Sequence, residues 1–180
     1  MSKVLITGCA GFIGFHAALR FLDEKHEVIG IDNINDYYDI DLKISRIKIL
    51  KKNKKFKFLK IDINNSIQIN NLLKKNKFKY VIHLAAQAGV RYSFENPKEY
   101  IDTNIVGFFN LINLIKNTKC KNFVYASSSS VYGHNKKMPF SENDRVDSPL
   151  SLYAASKKTN ETIASSYSYL YNINVTGLRF

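Results

Sequence analysis

The chain has 180 residues, 45% of them hydrophobic, with 27 basic against 15 acidic side chains and a net charge of +12. That length and apolar content suit one folded domain with a sizeable core and exclude a disordered or low-complexity protein. No apolar run nears the roughly 20 residues of a membrane span, and the basic excess rests on 22 lysines without a helix-turn-helix, zinc or RNA-binding signature, so neither a membrane nor nucleic acid is an expected partner.

The chain opens directly on a short apolar run, residues 4–6, with no secretory leader pattern, so a cytoplasmic location is expected. The run ends in Gly8, Gly11 and Gly14, and residues 12–22 carry apolar side chains at helical spacing. This is a buried strand, a tight glycine turn and a helix start. Such a turn suits a dinucleotide pyrophosphate, because a backbone without Cβ admits phosphate and the helix N-terminus offers free N–H groups. A second strand, 27–31, ends in Asp32, about 20 residues beyond the turn, where a carboxylate would hold adenosine ribose hydroxyls. Asp32 would repel a 2′-phosphate, and Asn33 is not the cation that NADP requires, so NAD is the expected cofactor.

Residues 33–39 are polar and turn-like, and helical spacing resumes over 42–50. The lysines from Lys43 to Lys60 read as solvated helix faces and loops. A third strand, 56–61, closes at Asp62 and a helix follows over 66–75. The fourth strand, 80–84, is nearly all apolar and so buried on both faces. It leads into residues 85–93, which are too small and polar for core. Pro97 starts a long amphipathic helix through Ile115. Strand five, 122–126, ends in the serine run 127–130. A loop with Pro139 and Pro149 leads to a helix over 151–171 and strand six over 174–178. Alternating strands and helices mean a parallel sheet with right-handed crossovers and helices on both faces. Ligands then sit beyond the carboxyl ends of the strands, where Gly8, Asp32, Asp62, Ala85 and Ser128 all fall.

Tyr153 and Lys157 lie four residues apart, on one face of the last helix. An ammonium beside a phenol favours the phenolate and lowers a pKa otherwise near 10, giving an acid/base group usable near neutrality. The serine run offers a hydroxyl to orient a substrate oxygen. Cys9, Cys120, His16, His26, His83 and His134 show no metal-ligand spacing, and no metal is expected. His83 reads as a packed core group.

With these residues the chain resembles the extended short-chain dehydrogenase/reductases that modify nucleotide sugars. The likeness is carried by Thr7-Gly-Cys-Ala-Gly-Phe-Ile-Gly14, Asp32, Asp62-Ile63, His83-Leu-Ala-Ala86, Asn104, Ser127-Ser-Ser-Ser-Val-Tyr-Gly133 and Tyr153-Ala-Ala-Ser-Lys157. It implies a Rossmann-type doubly wound α/β fold with strand order 3-2-1-4-5-6, bound NAD, and a catalytic set of Ser128, Tyr153 and Lys157. Four successive serines leave the choice of hydroxyl open by one or two places. The cofactor contacts it implies are Gly8, Gly11, Phe12, Ile13, Gly14, Asp32, Asn33, Asp62, Ile63, Leu84, Ala85, Ala86 and Asn104, besides Tyr153 and Lys157.

Members that dehydrate or decarboxylate carry an acidic residue just after the catalytic hydroxyl, where this chain has Ser129 and Ser130, positions on the substrate side. The resemblance therefore implies hydride chemistry alone: 4-epimerisation of a nucleotide sugar through a 4-keto sugar. The segments Asp32-Asn-Ile-Asn-Asp-Tyr-Tyr-Asp39 and Ala85-Ala-Gln-Ala-Gly-Val-Arg-Tyr-Ser93 look more like UDP-glucuronate than UDP-glucose 4-epimerases. Arg91 would then pair with a sugar carboxylate through two parallel hydrogen bonds, or else serve as a loop salt bridge. Gln87 and Tyr92 are weaker substrate-side candidates. Enzymes of this kind continue past the equivalent of Arg179-Phe180 into a smaller lobe that grips the UDP-sugar. Residues 1–180 are thus expected to form the NAD-binding, catalytic domain without that lobe. Strand six would lose cover, which invites self-association or instability, and a homodimer is an expected partner state. A catalytically silent NAD-binding module, a reductase on the same core and a UDP-glucose 4-epimerase stay open as alternatives.

Overall fold

Strand β1 (Lys3–Thr7) sends Val4 and Ile6 to one face and Leu5 to the other, and all three are fully buried, because helices cover the sheet on both sides. A computed structural model describes residues 2–180. Strands β2 (Glu27–Asp32), β3 (Phe56–Lys60), β4 (Tyr80–His83), β5 (Asn122–Ser127) and β6 (Val175–Arg179) join β1 in an all-parallel sheet of order β3-β2-β1-β4-β5-β6. This is the expected doubly wound arrangement.

Helices α1 (Phe12–Asp23) and α2 (Ile40–Leu50) bury Phe15, Ala18, Leu22 and Leu50 against Val4, Ile6, Val28 and Phe56. On the opposite face, α3 (Ser66–Lys75) sets Ile69 and Leu72 against Leu5, Ile31, Val81 and Phe123. Each fully buried Leu, Ile or Phe contributes roughly 1.5–3 kcal/mol relative to exposure. Helix starts are capped from the sequence: Asp39 accepts the N–H groups of Asp41 and Leu42 at the head of α2.

Two segments differ from the sequence expectation, and the serine run takes a form that the sequence left open. Residues 85–93 are not an open loop. The backbone turns at Gly89 and enters a one-turn helix, α4 (Tyr92–Glu95), with Ser93 buried and donating to the Val90 carbonyl. The long helix expected from Pro97 is interrupted. After α5 (Pro97–Tyr100), residues Ile101–Gly107 form a π turn before α6 (Phe108–Ile115). The widened turn presents Asn104 to strong side-chain and backbone partners, which offset its poorer helical geometry. The serine run does not stay extended, since Ser129–Tyr132 wind into a 3₁₀ turn capped by Ser128. The last helix, α7 (Leu152–Tyr171), is capped by Ser151, whose hydroxyl accepts the Ala154 N–H at 3.1 Å. Among the described residues, no helix is long and apolar enough to cross a membrane.

Candidate cofactor and catalytic site

The cleft begins where β1 meets α1. Gly8 has φ +70°, and a Cβ there would lie 2.7 Å from the Ala85 nitrogen. On Gly14 it would lie 2.1 Å from the Gly8 carbonyl oxygen. The two glycines let β1, β4 and α1 close to backbone distance. Helix α1 has no side-chain cap at Gly11, so its first-turn N–H groups remain available to an anion. A cleft of about 500 Å³ opens there, lined by Gly8, Gly11, Phe12, Ile13, Gly14, Asp32, Asn33, Asp62, Ile63, Leu84, Ala85 and Ala86, and running on to Gln87, Thr103 and Ala126. The glycine turn and the ends of β2, β3, β4 and β5 thus converge on one space.

Local hydrogen bonds order its acidic groups. Asp32 accepts the N–H of Ala10 at 3.1 Å and of Ile34 at 2.9 Å. Asn33 donates to Asp62 at 2.9 Å, tying the ends of β2 and β3 together. Lys43 is a correction to the solvated-lysine reading: it is only 3% exposed. Its ammonium donates to the Asn35 carbonyl and side-chain oxygens at 2.7 and 2.6 Å and lies 4.2 Å from the Tyr38 ring. Burial pushes its pKa down, against the pull of Asp32 and Asp36. Arg46, one turn along α2, donates to the Ala10 carbonyl at 3.1 Å. Both cations line the cleft. Their i, i+3 spacing on a helix following the Asp32 loop was the available signal, hidden among many surface lysines.

At the other end, α7 carries Tyr153 and Lys157. Lys157 is 3% exposed and donates to the Ala126 carbonyl at 2.9 Å, with its nitrogen 5.8 Å from the Tyr153 ring centre. Burial lowers its pKa to about 8. The expected lowering at Tyr153 does not occur in the protein alone. Burial raises the phenol, the Ser128 hydroxyl beside it works the other way, and Tyr37 adds a small upward push. Lys157 spends its ammonium on β5 instead of the phenol, so desolvation wins. Of the four serines, Ser128 is the one whose hydroxyl stands close enough to Tyr153 to act on its titration. Ser127 turns to Glu161, Ser130 pairs with Ser128 at 3.1 Å, and Ser129 is exposed.

The family described as GDP-mannose 4,6 dehydratase matches residues 5–180. The chain belongs to that family. Its relatives include Protein CapI of Staphylococcus aureus, 52% identical over 178 residues, covering 99% of this chain and 53% of that protein. A probable UDP-glucuronate 4-epimerase of Rhizobium meliloti is 47% identical over 99% of this chain and 52% of its own length. Among solved structures, the UDP-glucuronic acid 4-epimerase of Bacillus cereus, in complex with UDP-glucuronic acid and NAD, superposes with a TM-score of 0.91 at 35% identity, over 98% of this chain and 55% of that one. The chain thus spans about half the length of the relatives it matches.

Ser128, Ser129, Ser130, Tyr153 and Lys157 adjoin the cleft at its Ala126 end and are not part of its lining, and Asn104 and Arg91 also lie outside it. Asn104 lies outside the cleft lining, and its amide is fully committed. Its oxygen accepts the Gln87 N–H at 2.8 Å, and its nitrogen donates to the Gln87 carbonyl at 3.0 Å and the Ser156 hydroxyl at 3.1 Å. It holds the β4 extension against α7. Arg91 is exposed and also outside the lining, because the turn at Gly89 and helix α4 carry it away from the β4 end. Gln87 does reach the cleft, with its side-chain nitrogen buried and without a hydrogen-bond acceptor. Tyr100, missed by the sequence reading, is fully buried, packs edge-on to Tyr153 at 6.1 Å and donates to the Ala88 and Gly89 carbonyls. His83 is a core group, as expected. Thr7 Oγ1 accepts the N–H of Leu84 and Ala85, so it donates to His83 Nδ1 at 2.7 Å. Burial, helped by the Lys157 charge, lowers the imidazole pKa to about 3 and keeps it neutral.

Proposed function

We propose that residues 1–180 are the NAD-binding, catalytic domain of a nucleotide-sugar 4-epimerase, with UDP-glucuronate and UDP-galacturonate as substrates. The observation that carries this reading is a buried Lys157 tied to Ala126, a residue that lines the cleft starting at the glycine turn, with Tyr153 one turn away on the same helix and the Ser128 hydroxyl beside that phenol. The cradle fits a dinucleotide: bare backbone at Gly8 and Gly14, free N–H groups at α1, and Asp32 with Lys43 at the ribose end. Asp62 and Ile63 would flank the adenine.

When bound, NAD supplies a hydride acceptor that returns the hydride, and a positive ring whose charge opposes the burial that raises Tyr153. Tyr153 takes the proton of the sugar C4 hydroxyl and gives it back after the 4-keto sugar has turned over. Ser128 holds the same oxygen by a hydrogen bond. Lys157, fixed to Ala126, keeps a positive charge near the phenolate. Ser129 and Ser130 offer hydroxyls to the sugar, and no carboxylate in that run promotes elimination. Gln87, with its unpartnered donor, suits a sugar or ribose oxygen. The glucuronate preference is supported by a 47% identical relative named as a probable UDP-glucuronate 4-epimerase and by the likeness to the Bacillus cereus UDP-glucuronic acid 4-epimerase. The enzyme works in the cytoplasm, where nucleotide sugars and NAD are at hand, and pairs as a homodimer.

Calorimetry with NAD and incubation with each UDP-uronate test this reading. The expected result is NAD binding by the chain, and interconversion without net NADH formation by the chain fused to the complementary half of the Rhizobium relative. Tyr153→Phe should retain NAD affinity within about threefold while losing turnover by 100-fold or more, roughly the size of a general acid/base contribution. Absence of NAD binding, or near-normal turnover in that variant, overturns the reading. Net NADH production would mark a reductase instead.

A further inference from the structure

Helix α7 carries Glu161 four residues beyond Lys157 and eight beyond Tyr153, so the three side chains share one stripe of the helix. Neither cofactor nor substrate chemistry requires a carboxylate there. Its Oε1 accepts hydrogen bonds from Ser127 Oγ at 2.6 Å and Arg179 Nε at 2.9 Å, and Oε2 accepts from Arg179 Nη2 at 3.1 Å. Such a two-pronged guanidinium–carboxylate pair is strongly directional. Ser127 and Arg179 are direct partners in the parallel β5–β6 ladder. The guanidinium lies 4.9 Å from the Tyr132 ring, which stacks on Phe140 at 4.4 Å. Burial opposes the Glu161 charge, but the bonds from Arg179 and Ser127 outweigh it and hold the carboxyl below its ordinary range.

The residues around Ser128 are tethered one by one. Ala126 accepts from Lys157 at 2.9 Å, Ser127 donates to Glu161, and the Ser129 N–H donates to the Phe180 carbonyl at 2.6 Å. Two of those tethers run to the helix that bears Tyr153. We propose that Glu161 is a positioning residue: by clamping Ser127 and Arg179 it sets the Ser128 hydroxyl against the Tyr153 phenol. It touches no reacting atom and acts through Ser128. The assignment rests on the reading of Ser128 and Tyr153 as the proton-handling pair.

The test compares Ser127→Ala, Glu161→Ala and Glu161→Gln in the 180-residue chain at neutral pH, by NMR of ¹³C-labelled tyrosine and by amide hydrogen exchange. Tyr153→Phe identifies the Tyr153 resonance. Ser127→Ala and Glu161→Ala are expected to move that resonance and to lower protection of the Ser129 and Ser130 amides about tenfold, with Leu5 and Ile29 unchanged. Glu161→Gln keeps an oxygen that accepts from Ser127 and Arg179 Nε but turns an NH2 donor toward Arg179 Nη2, so it should fall between Glu161→Ala and the unaltered chain. If Glu161→Ala fails to fold, Ser127→Ala, which leaves the Glu161–Arg179 pair intact, decides the matter with Glu161→Gln. An unmoved Tyr153 resonance in Ser127→Ala, or protection lost equally in β1 and β2, overturns the proposal. These signals do not depend on NAD, so failure of NAD binding defeats the functional reading alone.

Discussion

At the scale of single residues, the balance between burial and nearby charge decides the chemistry. Tyr153 and Lys157 stand on one helix face, yet each is shifted first by its own desolvation: the phenol upward, and the ammonium down to about 8 from an ordinary value near 10.5. Below pH 8 the folded protein holds a buried charge at a cost that the unfolded chain avoids. Between pH 8 and 10.5 the unfolded chain binds a proton that the folded one has released, so stability rises with pH in that window. Denaturant unfolding of the unaltered chain and Lys157→Met should therefore diverge. From pH 8 to 10 the unaltered chain should gain about 2–3 kcal/mol relative to the variant. Parallel curves for the two proteins would show that the lysine is not desolvated as described.

At the scale of elements, the π turn and the β4 extension act as one unit. Asn104 satisfies both backbone groups of Gln87 and reaches Ser156 on α7, so three elements meet at one amide. Asn104→Ala leaves a buried N–H and a buried C=O without partners. Urea denaturation should show a loss of about 2–4 kcal/mol, with NAD affinity reduced because residues 85–88 line the cleft. Unchanged stability would mean that water or a shifted backbone replaces the amide.

At the scale of the whole molecule, the two ends of the sheet differ in cover. Core clusters lie on both faces around β1, β2, β4 and β5, whereas Thr176, Gly177 and Leu178 of β6 are exposed and Phe180 is half-exposed. An apolar strand edge of that kind favours association between chains. Sedimentation of the chain should reveal concentration-dependent self-association that Leu178→Ser with Phe180→Ser reduces severalfold. Equal behaviour of the two proteins would place any association surface elsewhere. The net charge of +12 keeps the chain soluble and steers anionic ligands without implying nucleic acid.

The sequence by itself determined the alternation of strands and helices, the glycine turn, Asp32, Asp62 and the Tyr153–Lys157 pair, while the strand order came only with the family resemblance. Each depends on residues a few positions apart, where helix and strand periods dictate which side chains share a face. Only the tertiary structure decided which serine stands beside Tyr153, that Lys43 is buried in the cleft, and that Asn104 serves Gln87. Those outcomes depend on how α2 packs over the β2 end, how a π turn rotates one amide inward, and how β5 and β6 are brought into register. Packing between elements distant in the chain sets such contacts, and local periodicity carries no record of them.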